Sequence, residues 1–330
     1  MSIHRQEPAR LELANLPTPV VELKQLADHA GVPKILLKRD DFTGLEVSGN
    51  KVRKLEYVIA DAIAQGADTL VTHGGAQSNH CRATAALGSR LGLRVRMLLR
   101  SAEDNPEWDG NLFLDHLFGA DCSYHPPEIY GSQLDDLVAK AMQEERDAGR
   151  SPYFFPVGAS VPYGSWGYIR CVAELAESLG KDTPVDLYCA TSSGGTQVGL
   201  MLGLALLGCS NWRVRGVPVS DSVKYFQTYL RELERATVDQ FQLSVSTEET
   251  PIELIDGFIG EGYAIPYPEA VDTIRLLGRR EGVVLDPSYT SKAMTGMLHT
   301  LKQEQSDRMP VFVHTGGAFG LFARRDLFAE

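Results

Sequence analysis

The sequence has little of several features that define broad classes of protein. Its cysteines are few, odd in number, widely spaced and without a C-x-x-C pair: Cys81, Cys122, Cys171, Cys189 and Cys209. This pattern argues against a disulfide framework and favours a reducing compartment. The most apolar run, 198–209, is shorter than the roughly 20 residues that span a bilayer. Residues 1–8 lack the apolar stretch of a secretory signal, so we expect a cytoplasmic protein.

Positive charge and nucleotide-binding motifs are also scarce. The chain has 32 Lys and Arg against 43 Asp and Glu, a net charge of −11, which disfavours nucleic acid or an anionic membrane as a partner. It contains neither a G-x-x-x-x-G-K-[ST] loop nor a G-x-G-x-x-G fingerprint, which disfavours a nucleotide-binding protein. His73, His80 and Cys81 fit no metal-ligand spacing, so we predict no metal site.

What is present indicates an α/β protein. With 330 residues, 43% of them hydrophobic, the chain is long enough for about two domains. Short β-like runs alternate with helical periods, which predicts parallel sheets covered by helices. The predicted strands are 34–38, 69–72, 95–99, 153–155, 186–190, 214–217 and 311–314. The predicted helices are 51–65, 80–91, 111–118, 133–148, 167–178, 196–207, one from about 223, 268–281 and 291–303. Residues 156–167 are the expected crossing between domains, and residues 247–261 an expected loop or irregular strand.

Three glycine-containing junctions follow predicted strands, at 72–79, 191–196 and 314–317. The N–H groups at the start of a helix bind anions, and glycines let a ligand approach the backbone closely. One such turn usually does no more than end a strand. Three of them at the carboxyl ends of strands in one α/β chain predict a ligand site.

A lysine lies at a fourth junction, in Ser-Gly-Asn-Lys-Val-Arg-Lys at 48–54. An amine nucleophile beside an anion-binding helix start is what an enzyme needs to bond an aldehyde cofactor covalently. We therefore predict pyridoxal 5'-phosphate (PLP) as the cofactor and Lys51 as the residue that carries it. Taken alone, Lys51 and Lys54 would be interpreted as solvated helix charges.

Four segments, in this order and spacing, resemble the family of D-cysteine desulfhydrases and 1-aminocyclopropane-1-carboxylate (ACC) deaminases. They are Asp-Asp-Phe-Thr-Gly at 40–44, the lysine segment at 48–56, Gln-Ser-Asn-His at 77–80 and Leu-Asp-Pro-Ser-Tyr-Thr at 285–290. The resemblance extends over nearly the whole chain. It implies the two-domain tryptophan-synthase-β-like fold of PLP enzymes. A larger domain of residues 1–50 and 166–330 and a smaller one of 51–165 would hold the active site between them.

The resemblance implies catalytic and substrate-binding residues. The catalytic set would be Lys51, Ser78, Tyr263 and Tyr289. Lys51 is the default acceptor of the Cα proton, with Tyr289 and Ser78 as alternatives. Ser78 and Gln77 would hold the substrate carboxylate, within a substrate-binding set of Gln77, Ser78, Asn79 and His80. Without the resemblance, the two tyrosines would be interpreted as packing at the edge of the core.

It also implies a set of cofactor contacts. Asn79 would hydrogen-bond the phenolic oxygen of the cofactor, and Thr315 would lie near the pyridine nitrogen. Residues 192–196 would bind the phosphate, helped by Lys54 one helical turn from Lys51. The full predicted set is Lys51, Lys54, Asn79, Ser192, Ser193, Gly194, Gly195, Thr196, Thr290 and Thr315.

The residue after Tyr289 separates the two activities of this family. ACC deaminases carry a glutamate there that is tied to opening the cyclopropane ring, whereas this chain has Thr290. With Thr315 also a hydroxyl, no carboxylate is evident at the pyridine nitrogen, which suits elimination of a good β-leaving group. We predict a PLP-dependent carbon–sulfur lyase that converts D-cysteine to pyruvate, hydrogen sulfide and ammonia.

The alternatives are ACC deaminase, L-cysteate sulfo-lyase, another β-eliminase such as one acting on β-chloroalanine or serine, and a PLP-binding carrier or sensor without turnover. A sulfonate substrate calls for added positive charge, and no extra arginine cluster is evident near the motifs. A carrier or sensor that only binds the cofactor would not need two tyrosines over the cofactor ring. One lysine is compatible with either face of the cofactor, so substrate chirality stays open. A homodimer is expected from the resemblance alone.

Overall fold

Two sheets form the framework of the computed structural model, which describes residues 6–247, 250–304 and 306–329. The strands are β1 Val20–Glu22, β2 Leu36–Lys38, β3 Thr69–Gly75, β4 Arg94–Arg100, β5 Asp121–His125, β6 Pro152–Phe154, β7 Val185–Thr191, β8 Trp212–Pro218, β9 Glu253–Leu254 and β10 Met309–Val313. The helices are α1 Lys24–Ala30, α2 Asn50–Ala64, α3 Asn79–Leu91, α4 Gly110–Leu117, α5 Pro127–Asp147, α6 Pro162–Leu179, α7 Gly195–Leu207, α8 Val223–Phe241, α9 Pro268–Glu281, α10 Thr290–Gln303 and α11 Ala318–Phe322. Within the described ranges, no helix combines the length and apolar character that crossing a bilayer requires.

The larger sheet has the strand order β1-β2-β10-β7-β8-β9, and only β1 runs antiparallel to its neighbour. Apolar residues of α6 and α7 cover one face of it, and those of α1, α9 and α10 cover the other. Coverage on both faces explains why its central strands are nearly continuous apolar runs, as in Val-Phe-Val of β10.

The smaller sheet is fully parallel, with the order β5-β4-β3-β6. Helices α2 and α3 pack on one face, and α5 packs on the other. All four strands fall inside the predicted smaller domain, 51–165, although the bounds of the two domains stay a prediction. The α/β class with parallel sheets is confirmed, and both sheets direct the carboxyl ends of their strands toward one cavity.

The elements that the sequence pattern did not predict are short or lack apolar periodicity: β1, α1, β5 and α11. Strand β5, Asp-Cys-Ser-Tyr-His, is half-buried along its whole length and has no alternating pattern. Helix α5 begins six residues before the predicted start, and Gln133, at that predicted start, has non-helical dihedral angles. The predicted crossing at 156–167 is shorter, because α6 begins at Pro162. Of the expected loop at 247–261, residues 248 and 249 lie outside the described residues.

A buried ionic network ties α2 to the larger sheet. The guanidinium of Arg53 donates to both oxygens of Asp40 at 2.9 Å and to Glu174 at 2.8 Å. Lys38 donates to Glu174 at 2.7 Å, and the hydroxyl of Tyr168 donates to Asp40 at 2.6 Å. Asp40 and Arg53 are at most 1% exposed. Since α2 also carries Lys51, this network fixes the helix that presents the predicted nucleophile.

Candidate active site

A cavity of about 310 Å³ lies where strand ends of the two sheets face each other. This is the position at which open α/β sheets bind ligands, and the volume suits a small molecule. Most of the site residues predicted from the sequence line it: Lys51, Ser78, Asn79, His80, Ser192, Ser193, Gly194, Thr196, Tyr263, Tyr289 and Thr315.

Lys51 is presented by a loop with little room to move. Gly49, the cap of α2, has a φ of 109°, and a Cβ added there would lie 2.5 Å from the carbonyl oxygen of Thr315. The buried guanidinium of Arg82 donates to the carbonyl of Ser48 at 2.7 Å and also to that of Glu46. The glycine and the arginine together place Lys51 in the first turn of α2, facing the cavity.

The surroundings of Lys51 favour its neutral amine. Burial lowers its pKa from 10.5 to about 8; Asp286 opposes this shift, and Arg82 adds to it. A lysine with this pKa supplies far more neutral amine near pH 7 than an exposed lysine does. An unprotonated amine can act both as a nucleophile and as a proton acceptor.

Chemical labelling of the apoprotein checks this pKa. Because a lowered pKa leaves the amine unprotonated at lower pH, acetylation of Lys51 by trace acetic anhydride should rise with pH and level off above about 8. Peptide mass spectrometry measures the rate, with the exposed Lys140 as the internal reference. A Lys51 acetylation rate that keeps rising up to pH 10 would contradict the assignment.

The loop before α3 provides donors on the opposite side. The Ser78 hydroxyl caps the helix by accepting from the N–H groups of His80 and Cys81 at 3.2 and 3.3 Å. Ser78 also lines the cavity, where a ligand can reach its hydroxyl. The Oδ1 atom of Asn79 is buried and has no partner among the described residues. His80 is neutral, since burial lowers its pKa well below the usual value.

Residues 192–196 form a candidate anion cradle at the start of α7. The helix begins without a side-chain cap, after Gly194 with a φ of 77°. Uncapped N–H groups at a helix start, with adjacent hydroxyls, are the usual phosphate-binding arrangement. Thr196 accepts from the side chain of Asn50 at 2.9 Å, and Ser193 accepts from Ser160 at 2.9 Å. The hydroxyls of the cradle are thus held in place by neighbouring elements.

Tyr263 and Tyr289 meet in the cavity wall, where their hydroxyls hydrogen-bond to each other. Burial raises the pKa of both phenols, so both keep their protons. One phenolic proton forms the hydrogen bond between the two hydroxyl oxygens, and the other phenolic proton is available to a ligand. Lys292 donates to the carbonyls of Ile259 and Gly262 at 2.6 and 2.9 Å, which fixes the segment that carries Tyr263.

The structure adds wall residues that the sequence reasoning missed: Asn50, His73, Arg100, Tyr130, Ser220, Asp221 and Tyr225. Arg100 could have been found, since it is the last residue of β4 and parallel strands direct their carboxyl ends to the site. Tyr130 and Tyr225 lie on helices that only the tertiary structure brings here. The sequence-based statement that no additional arginine is near the motifs needs correction, because Arg100 lines the cavity.

Four predicted contact residues do not line the cavity. Lys54 lies behind the anion cradle and donates to the carbonyl of Gly158 at 3.1 Å. Burial and the nearby charge of Lys51 hold the pKa of Lys54 well below its usual value. The Gln77 side chain points away, donating to the carbonyl of Asp109 at 2.9 Å. Gly195 supplies backbone at the start of α7, where its N–H donates to Ser160 at 3.2 Å.

Thr290 also lies outside the cavity wall. Its hydroxyl donates to Asp286 at 2.6 Å and accepts from the N–H of Asp286 at 2.8 Å. The residue is fully buried and orders the loop before α10, and its hydroxyl faces Asp286 and not the cavity. Asp286 also accepts from the N–H groups of Ser288 and Tyr289.

The fold and the site together are those of an enzyme with a phosphate-bearing cofactor, and Lys51 is the candidate residue to bind it. A model of the family described as pyridoxal-phosphate dependent enzyme matches residues 11–316. The chain belongs to this family, and its cofactor is PLP.

Individual relatives are similar over nearly their full length. A D-cysteine desulfhydrase of Serratia proteamaculans is 38% identical, with 95% of each chain covered. A protein of Thermotoga maritima, provisionally named 1-aminocyclopropane-1-carboxylate deaminase, is 39% identical, with 96% of this chain and 98% of the relative covered. A crystal structure described as an ACC deaminase homologue superposes with a TM-score of 0.89 at 33% identity, covering 98% of this chain and 96% of the other.

The residues present fit the cofactor. An uncapped helix start with hydroxyls suits a phosphate, and the neutral amine of Lys51 suits an aldehyde. Asn79 also lines the cavity, where its amide nitrogen can donate to a ligand. Residues 192–196, Asn79 and Lys51 are thus the groups that would hold PLP.

Proposed function

We propose that this protein eliminates the β-substituent of a small amino acid, converting D-cysteine and water to pyruvate, hydrogen sulfide and ammonia. The observation that carries the proposal is an amine with a lowered pKa, Lys51, in a cavity that also contains Ser78 and the tyrosine pair. The name of the Serratia relative supports the thiol substrate.

The chain's own groups account for substrate binding. The N–H of Asn79 at the start of α3 and the hydroxyl of Ser78 would bind the α-carboxylate, since the N–H groups of His80 and Cys81 are already capped by Ser78. Neutral His80 in the same turn adds no charge that would hold the substrate too tightly. When bound, PLP supplies the electron sink for the charge that develops at Cα.

Lys51 would accept the Cα proton, since its amine is unprotonated in a substantial fraction of molecules near pH 8. Tyr289 and Ser78 stay alternative acceptors. The bond between Cβ and sulfur then breaks with both electrons on sulfur, and the free proton of the tyrosine pair would protonate the departing sulfide. Water hydrolyses the released enamine to pyruvate and ammonia, so atoms balance without an oxidant.

Deamination of ACC is less well supported. Asp221 is the one carboxylate among the described residues that line the cavity, and it lies at the exposed mouth. The Asp286 carboxylate is occupied by the N–H groups and hydroxyl of its own loop. A strong acid near the pyridine nitrogen is therefore not part of the wall, whereas the Thr315 hydroxyl is.

Localisation and assembly belong to the same proposal. A cytoplasmic location rests on the cysteine pattern. A homodimer rests on the family resemblance, as do the individual roles of the cofactor contacts.

A product assay with the purified holoenzyme tests the reaction. We expect equimolar sulfide and pyruvate from D-cysteine, and much less from L-cysteine run alongside. ACC, assayed for 2-oxobutyrate, is expected to give little product. Release of 2-oxobutyrate from ACC without pyruvate from D-cysteine would favour the deaminase. No product from any of the three would contradict the proposed function.

A further inference from the structure

Arg100 is a cation in the cavity wall for which the protein provides no counter-charge. It ends β4 directly opposite Gly75 of β3 and is partly buried. Among the described residues, its guanidinium forms no ion pair or side-chain hydrogen bond. Its contacts are with aromatic faces, 5.0 Å from the ring centre of Tyr263 and 5.9 Å from that of Tyr130. A partly buried cation without an anionic partner is unfavourable unless a ligand supplies one.

Tyr130 supplies a neutral donor beside this cation. The N–H of Val157 donates to Nε2 of His73 at 3.2 Å, which makes Nε2 the acceptor of the ring. Burial lowers the pKa of His73 to about 4, so the ring is neutral and its single proton lies on Nδ1. Nδ1 then donates to the hydroxyl oxygen of Tyr130 at 2.6 Å. The Tyr130 proton is left to point elsewhere, and burial raises the pKa of this phenol, so the proton stays in place.

The two groups share one wall of the cavity. Both belong to the smaller sheet and its helices, whereas Asp221 follows β8 of the larger sheet. This wall therefore offers a positive charge and a hydroxyl donor near Tyr263, with no carboxylate among its described residues. A paired cation and donor is the arrangement that binds an oxyanion.

We propose that Arg100 and Tyr130 form a subsite for a second acidic group on the substrate, at the β-position of the amino acid. The enzyme would then eliminate oxyanion leaving groups, a sulfonate in particular, as well as a thiol. The inference rests on the proposed β-elimination at Lys51 and extends it to a class of substrate. It reverses the sequence-based argument against a sulfonate, because that argument assumed that no arginine was near.

The reaction balances without a further reagent. A β-sulfonate of alanine and water give pyruvate, ammonium and hydrogen sulfite. The carbon–sulfur bond breaks with both electrons on sulfur, and the protein accepts the Cα proton. No group is oxidised or reduced from outside.

Binding of a non-reactive probe tests the subsite separately from catalysis. 3-Sulfopropionate has the carboxylate and sulfonate but no amine, and propionate lacks the sulfonate. Calorimetry with the wild-type holoenzyme should show tighter binding of 3-sulfopropionate than of propionate. Arg100→Gln should weaken the sulfonate probe by about 100-fold and Tyr130→Phe by about 10-fold, the range for charged and neutral hydrogen bonds. Arg100→Lys keeps the charge and should retain most of the affinity.

Turnover provides the second measurement. The ratio of kcat/KM for cysteate, tested as both enantiomers, to that for β-chloroalanine should fall about 100-fold in Arg100→Gln. It should not change in Arg90→Gln, an exposed arginine at the end of α3. Equal losses for both substrates in Arg100→Gln, or equal binding of the two probes by the wild type, would overturn the subsite. Selective sulfonate binding without turnover of any amino acid would retain the subsite and reject the proposed elimination.

Discussion

Replacement of Lys51 by alanine is expected to lower the release of sulfide and pyruvate from D-cysteine by at least about 10⁴-fold. The substitution removes the one amine that lines the cavity among the described residues. Lys54 cannot substitute for it, since its Nζ is held behind the cradle by Gly158 and Ser160. The loss should therefore appear in kcat and not only in KM.

The cofactor bond gives this prediction a second readout. After reduction with borohydride, peptide mass spectrometry of the wild type should find the cofactor on Lys51, and the Lys51→Ala protein should carry none. Lys140→Ala, which removes a largely exposed lysine of the same sheet region, should match the wild type in both measurements. Activity above about 1% of wild type in Lys51→Ala would show that another group accepts the Cα proton.

The second large effect is on stability. Replacing Asp40 by alanine should lower the free energy of unfolding by about 3–5 kcal/mol, because it leaves the Arg53 guanidinium buried with only Glu174 as its anionic partner. Thr18 and Tyr168 would also lose the acceptor of their hydroxyl protons. Urea denaturation of the wild type and the variant measures the difference.

The charge state of Asp40 adds a pH dependence to this effect. Burial alone would raise the pKa of this carboxyl, but the adjacent Arg53 holds it below the usual value. A carboxyl whose pKa is lower in the folded than in the unfolded protein stabilises the fold at pH values above its unfolded pKa, which is near 3.9. This contribution is lost as the pH falls through the lower, folded-state pKa. The wild type should thus lose more stability on acidification than Asp40→Ala.

Asp272→Ala is the control for the stability measurement. It breaks an exposed ion pair with Arg275 and should change the free energy of unfolding by less than about 1 kcal/mol. An equally small loss in Asp40→Ala would refute the role of the network.

The sequence was most informative where local patterns are strong. Helix α9 has the predicted bounds, since Pro268 marks its first turn and Gly282 its end. The glycines near Lys51 and in the anion cradle could be recognised from the sequence alone. Close approach of neighbouring atoms to the backbone and left-handed φ angles both require glycine at those positions. Strand β5 was missed for the converse reason, because an edge strand with half-buried polar residues has no apolar alternation.

By itself, the sequence determined the α/β class and singled out the candidate lysine, the candidate phosphate loop and the polar turn before α3, because each depends on a few consecutive residues with distinctive backbone or chemical requirements. The tertiary structure alone decided which side chains face the cavity. Gln77 and Thr290 adjoin cavity residues in sequence but turn to Asp109 and Asp286, whereas Arg100 comes from a separate strand to complete the wall. The partner of Gln77 and the arrival of Arg100 at the cavity depend on residues distant in the chain, which local patterns do not encode, whereas Thr290 is held by a residue only four positions away.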